Sequence, residues 1–168
     1  MELFKAKARR HVILMDLKSH NGWPASKDRA ELGIETFLVP GTKIKLHCAK
    51  SVAPLLVGFA AEFHELIEPI DEGGLDDWGY CFRMVRGSTD KLSNHSSGTA
   101  IDLNATRHPL GKVGTFPNEK VPMIRALAKK YGLIWGGDYK NRKDEMHFEI
   151  ALTPAKVAAL VEKLGKSK

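Results

Sequence analysis

The sequence predicts an α+β fold in which a small antiparallel sheet is wrapped by helices in one domain, residues 1–168. Three observations carry that expectation. At 168 residues the chain can bury one substantial core and is short for two. Hydrophobic residues at 43% and charged residues at 27% match an ordinary globular protein and exclude a disordered or fibrous one. Short runs of strand composition alternate irregularly with helical spacings, several strand runs are adjacent in the chain, and no internal repeat or low-complexity tract interrupts them.

Taken in order, Thr36 to Leu46 reads as two extended runs broken by the turn dipeptide Pro40-Gly41. A helix follows, with Ser51 as its cap, Pro54 early, where its missing N–H does no harm, and Leu55, Leu56, Phe59, Phe63, Leu66 and Ile67 at helical spacing; Pro69 ends it. The loop Asp71-Glu72-Gly73-Gly74 leads into an expected strand, Tyr80 to Val85. After the Gly- and Ser-rich stretch Gly87 to Gly98 comes a strand over Thr99 to Leu103, with Ala100 and Asp102 on one face and Ile101 on the other. A polar loop then runs to Asn118, which caps a helix with Met123, Leu127 and Tyr131 on its apolar stripe and Gly132 at its carboxyl end. Leu133-Ile134-Trp135 and Met146 to Ile150 are strands separated by a turn containing Gly136-Gly137-Asp138, and Thr153-Pro154 opens a last helix whose Val157, Leu160, Val161 and Leu164 face inward.

Charge and cysteine content narrow the partners. A net charge of +6 and a pI of 9.3 favour anionic partners, among them nucleic acid, anionic lipid and the phosphate-rich bacterial envelope. No RNP-type aromatic signature or helix-turn-helix pattern is present, so nucleic acid is not an expected partner. The longest apolar stretch, Val52 to Ala61, is interrupted by Pro54 and Gly58 and is too short to span a bilayer, so no membrane insertion is expected. The basic run Lys5 to Arg10 is followed only by Val12 to Leu17, too short for the core of a secretory signal. Either the protein is made without a signal or one has been removed. Cys48 and Cys81, in segments that read as buried strands, are expected to be free core thiols, neither a disulfide nor a metal-binding pair.

The chemistry lies in the second half. Ser93-Asn94-His95-Ser96-Ser97-Gly98-Thr99-Ala100-Ile101-Asp102 places a histidine in a loop and an aspartate seven residues later on a strand, and His147 lies far along the chain on another strand. A mononuclear catalytic zinc needs three protein ligands and an open position, which two imidazoles and one carboxylate supply. Singly, each residue has a plain structural alternative: a turn histidine, a loop-bonded aspartate, an edge-strand histidine. Together they are stronger, because an aspartate buried unpaired in an apolar strand costs several kcal/mol and a cation removes that cost.

These residues resemble the zinc D,D-carboxypeptidases and endopeptidases related to the vancomycin-resistance enzymes VanY and VanX, including phage L-alanyl-D-glutamate endolysins. The Ser-x-His-x-x-Gly-x-Ala-x-Asp signature is met at Ser93, His95, Gly98, Ala100 and Asp102, and a second signature at Asp144, His147, Phe148 and Glu149, approached through Trp135-Gly136-Gly137-Asp138. The resemblance spans roughly Tyr80 to Ile150; residues 1–75 match only loosely. It implies a zinc peptidase core over 80–150, with the sheet carrying the metal site, His95, Asp102 and His147 as zinc ligands, and Asp144 as the catalytic acid–base, where many relatives have glutamate. Glu145 is the rival base, and Glu149, on the same side as His147, could orient that ligand. Arg83, rather than Arg86, would be catalytic through contact with the substrate carbonyl or oxyanion, and Ser93 would bond a ligand or the substrate. His11, His20, His47, His64 and His108 match no family position and are expected to be structural or solvent-facing.

The resemblance further implies a monomeric peptidoglycan hydrolase acting on the stem peptide. Without an evident signal, the chain suits a phage endolysin held in the host cytoplasm until lysis and acting then at the periplasmic or extracellular cell wall, where it would cut between L-alanine and D-glutamate. A D-alanyl-D-alanine carboxypeptidase remains the alternative, as does a non-catalytic phage structural or wall-binding module of the kind the related Hedgehog signalling domain exemplifies.

Overall fold

Pro40-Gly41 turns the first two strands onto each other in the computed structural model, which describes residues 17–166. His11 and the basic run Lys5 to Arg10 lie outside the described residues, as do residues 167–168. Strands β1 (Ile34–Leu38) and β2 (Lys45–Ala49) pair antiparallel, and Gly41 supplies the positive φ (79°) that the turn requires. Helix α1 (Ala53–Leu66) follows, then β3 (Ala100–Asp102), α2 (Lys120–Lys130), β4 (Leu133–Trp135), β5 (His147–Ile150) and α3 (Pro154–Gly165). The second sheet has the order β3-β5-β4, antiparallel throughout, with β5 at its centre. This is the expected α+β architecture, with two small sheets where one was expected.

The core forms between α1 and the central strand. Leu55, Leu56, Phe59 and Phe63 of α1 are fully buried, and the Phe148 ring of β5 lies 4.5 Å from that of Phe59 and 5.6 Å from that of Phe63. Each such side chain contributes about 1.5–3 kcal/mol on burial. Because side chains alternate along a strand, Phe148 and Ile150 anchor β5 to this core while His147 and Glu149 point to the other face. The packing of α1 therefore fixes the position of the site residues opposite.

Several local expectations are corrected. Tyr80 to Val85 is not a strand, because its backbone groups bond to irregular partners: Tyr80 N–H to the His47 carbonyl, Cys81 N–H to that of His95, Arg83 N–H to Ser96 Oγ and Val85 N–H to the Lys91 carbonyl. The strand-like pairing sits earlier, where Trp78 and Asp102 exchange both backbone hydrogen bonds (2.9 and 2.8 Å). Residues 78–80 thus tie β3 of one sheet to β2 of the other, and Gly79 is needed there, since a Cβ would fall 2.1 Å from the His47 carbonyl oxygen. Cys81 is consequently exposed, whereas Cys48 is buried and its thiol is pushed up to about 12 by that burial; both are free thiols.

Ser51 does not cap α1. Val52 occupies that position without a side-chain bond, and its carbonyl receives both Leu55 and Leu56 N–H. Asn118 likewise gives way to Glu119, after a turn closed by Lys120 N–H to the Pro117 carbonyl. The buried stripe of α2 is Ile124, Leu127 and Ala128, continued by Tyr131, so Met123 lies one position off it and is exposed.

Candidate active site

The β3–β5 register places Asp102 directly opposite His147, so pairing alone makes them neighbours on one face. His95 is delivered by the 3-10 turn Asn94–Ser97 that precedes β3. Ser93 caps that turn by accepting the His95 N–H at 3.3 Å, so it supports a candidate ligand's backbone. Gly98 closes the turn with φ 67°, and its carbonyl accepts Ala49 N–H from β2. A Cβ on Gly98 would meet Ala49 N at 2.8 Å, which explains a glycine at this point of the motif.

The side chains converge tightly. His95 Nε2 lies 3.2 Å from both Asp102 Oδ1 and His147 Nδ1, and the last two are 2.8 Å apart. The far nitrogens fix the tautomers. His95 Nδ1 faces the Gly79 carbonyl at 2.7 Å and must donate to it; His147 Nε2 faces Glu149 Oε2 at 2.9 Å and donates likewise. In neutral rings, His95 Nε2 and His147 Nδ1 are then lone pairs, and both point at a carboxylate oxygen. The local field also calls for a cation. Although burial pushes it upward, Asp102 is held well below the ordinary carboxylate range by the two rings, and although burial pushes it down, His147 is raised to about 10 by Asp102 and Glu149.

This donor set fits a metal ion. Ligands at about 2.0–2.1 Å in a tetrahedral zinc site stand about 3.3 Å apart, close to the two 3.2 Å edges of this triangle. All three residues are buried, and among the described residues they form a group of histidine and carboxylate donors able to hold an ion.

Residues 86–150 match the family model of the D-alanyl-D-alanine carboxypeptidases. With the buried triad, this match makes the protein a metallopeptidase whose residues 86–150 are similar to the VanY-like enzymes. Comparison with curated proteins and with solved structures gave no significant match. The match and the buried triad support a metal-dependent peptidoglycan peptidase acting on a wall peptide.

Around the triad of this peptidase, the other motif residues take distinct positions. Asp144 lines a cleft of about 390 Å³ together with Asp102 and His147, and its Oδ1 is buried with no hydrogen-bond partner. Burial raises Asp144 to about 6, so its carboxyl takes up a proton more readily than an ordinary aspartate. Gly136 lets the chain bring it there, because Asp144 N–H bonds the Gly136 carbonyl and a Cβ on that glycine would fall 2.3 Å from the Asp144 carbonyl oxygen. Glu145 turns the other way, accepting the N–H groups of Gly114 and Thr115 and the Thr115 hydroxyl. Glu149 backs His147, and its Oε2 also accepts from Asn94 Nδ2 and the Tyr139 hydroxyl. Motif reading missed Asn94, Tyr139 and the Gly79 carbonyl; the first adjoins His95 in sequence, but nothing local marks the other two.

Arg83 is half-buried and lines both this cleft and a second one of about 730 Å³, as do Arg86 and Asp102. The Arg83 guanidinium makes one long bond, 3.4 Å, to the Met84 carbonyl, and of the two arginines it is Arg86 whose charge acts on Asp144, after those of His147, Asp102 and His95. Of the remaining histidines, His108 is buried between Glu68 and Thr115 and stacks on Phe116, and His64 accepts the Ile70 N–H. His47 lines the second cleft beside Thr36 and Arg29, and exposed His20 lines the first.

Proposed function

We propose that this peptidase hydrolyses the bond between L-alanine and D-glutamate in the peptidoglycan stem peptide, with zinc held by His95, Asp102 and His147, as a phage endolysin does. The observation that carries the reading is the pair of clefts that meet at Asp102, Arg83 and Arg86. Room on both sides of the triad suits a chain that continues in both directions from the scissile bond, whereas removal of a terminal residue needs one side closed.

A bound zinc ion supplies Lewis acidity, polarising the scissile carbonyl and acidifying the attacking water. Asp144 takes the proton of that water on its unpartnered Oδ1 and passes it to the leaving amine, the role to which a carboxylate raised to about 6 is suited. Arg83 contributes fixed positive charge at the carbonyl oxygen as it becomes an oxyanion. Glu149 holds the His147 ring in its donating tautomer, and the Gly79 carbonyl does the same for His95. The unengaged Asp144 favours catalysis over a wall-binding module. No described helix is long and apolar enough to cross a membrane. In this reading the enzyme works as a monomer, does not bind nucleic acid, waits in the host cytoplasm until lysis, and acts at the wall.

Mass spectrometry of purified peptidoglycan digested by the zinc-loaded protein tests the assignment. Fragments with a new amino-terminal D-glutamate, abolished by a chelator, are expected. Free terminal D-alanine as the sole product would instead make the chain a D-alanyl-D-alanine carboxypeptidase, the activity for which its family is named.

A further inference from the structure

The first cleft carries more positive charge than the chemistry of the proposed reaction uses. Beside Asp144, the exposed loop Lys140-Asn141-Arg142 reaches its edge, and Arg83 and Arg86 line it as well. None of these four cations makes an ion pair among the described residues, although Lys50, Arg107, Arg125, Lys130 and Lys166 do. The loop is held at both ends. The Tyr139 hydroxyl bonds Glu149 and its N–H the Gly136 carbonyl, while Gly111 N–H bonds the Lys143 carbonyl and Asp144 N–H the Gly136 carbonyl. The loop therefore presents two cations from a fixed base next to the candidate acid–base, with no protein carboxylate paired to them.

We infer that Lys140 and Arg142 bind a free carboxylate of the stem peptide and make the enzyme select against peptides in which that carboxylate is amidated. The inference rests on the endopeptidase reading above. D-glutamate linked through its side chain leaves its own α-carboxylate beside the bond being cut, and this group is either free or a carboxamide. A carboxylate gains charge-assisted hydrogen bonds from lysine and arginine that a carboxamide does not.

The test uses two synthetic stem peptides that differ only in a carboxylate or a carboxamide on the second residue, digested by the zinc-loaded 168-residue chain. Wild type is expected to favour the carboxylate form in kcat/KM by about tenfold, and the preference should shrink as salt rises. Lys140→Ala/Arg142→Ala should bring the ratio near one, whereas Lys140→Arg/Arg142→Lys should keep it. Equal wild-type rates on the two peptides, or an undiminished ratio in the alanine variant, would overturn the inference. Fragment masses from the same digests identify the bond, so an error in the bond assignment shows separately from an absent carboxylate preference.

Discussion

His95 is 1% exposed, Asp102 6% and His147 7%, and each has its second polar contact set by a different part of the chain. The charge on Asp102 is tolerable there only because two rings and, in the holoenzyme, a cation share it. Asp144 differs in having one oxygen unengaged, and its assignment predicts a clean separation of effects. Asp144→Ala should lower kcat by at least about a hundredfold while zinc content measured by elemental analysis is unchanged; a loss below about tenfold would remove Asp144 from the mechanism. Among the described residues, the other buried side-chain oxygen without a partner belongs to Asp77, whose pKa burial raises to about 6 from 3.8. Because the folded state holds that proton more tightly than the unfolded chain, the charged form is penalised above about pH 6, and the penalty fades as pH falls toward 3.8. Asp77→Asn should therefore stabilise the protein by about 1 kcal/mol at pH 7.5, after allowance for solvent screening, and by almost nothing near pH 4. Urea unfolding at the two pH values reads this directly, and a gain that grew on acidification would contradict it.

At the scale of elements, the site depends on one strand pairing and one turn. The β3–β5 register sets Asp102 against His147, and the turn Asn94–Ser97 sets His95 beside both. Gly98→Ala introduces a side chain at φ 67° and 2.8 Å from Ala49 N, so a stability loss of at least about 2 kcal/mol is expected. Less zinc retained after dialysis should accompany that loss; an unfolding midpoint within error of wild type would show that the turn yields without cost. The alternation of β3 and β5 was readable in the sequence, because period-two burial leaves a local mark, whereas Gly98 entered through the resemblance of its motif and the structure supplies the reason in its φ of 67°. The expected strand at Tyr80 to Val85 failed because composition reports that a segment suits a pleated surface but not whether a strand lies alongside it. Its partner is the His95 turn, and the true bridge at 78–80 depends on His47 and Asp102, which are distant in sequence.

For the whole molecule, α1 packs behind β5 and the site opens on the opposite face, so a single strand carries both core and chemistry. The α+β class followed from spacing and residue type, and the three triad residues from their chemistry together with the resemblance of their two motifs to the zinc peptidases. The meeting of two clefts at the triad, and the pinned cationic loop beside Asp144, are properties of three-dimensional closure that no local pattern encodes. All of the proposed chemistry rests on His95, Asp102 and His147 sharing one metal ion. Zinc-edge X-ray absorption of the reconstituted protein tests this most directly. Two imidazole nitrogens and oxygen ligands at about 2.0–2.1 Å in a four-coordinate shell are expected, with one imidazole lost in His147→Ala. A sulfur shell at about 2.3 Å, or a spectrum unchanged by that substitution, would place the metal elsewhere and contradict the assignment.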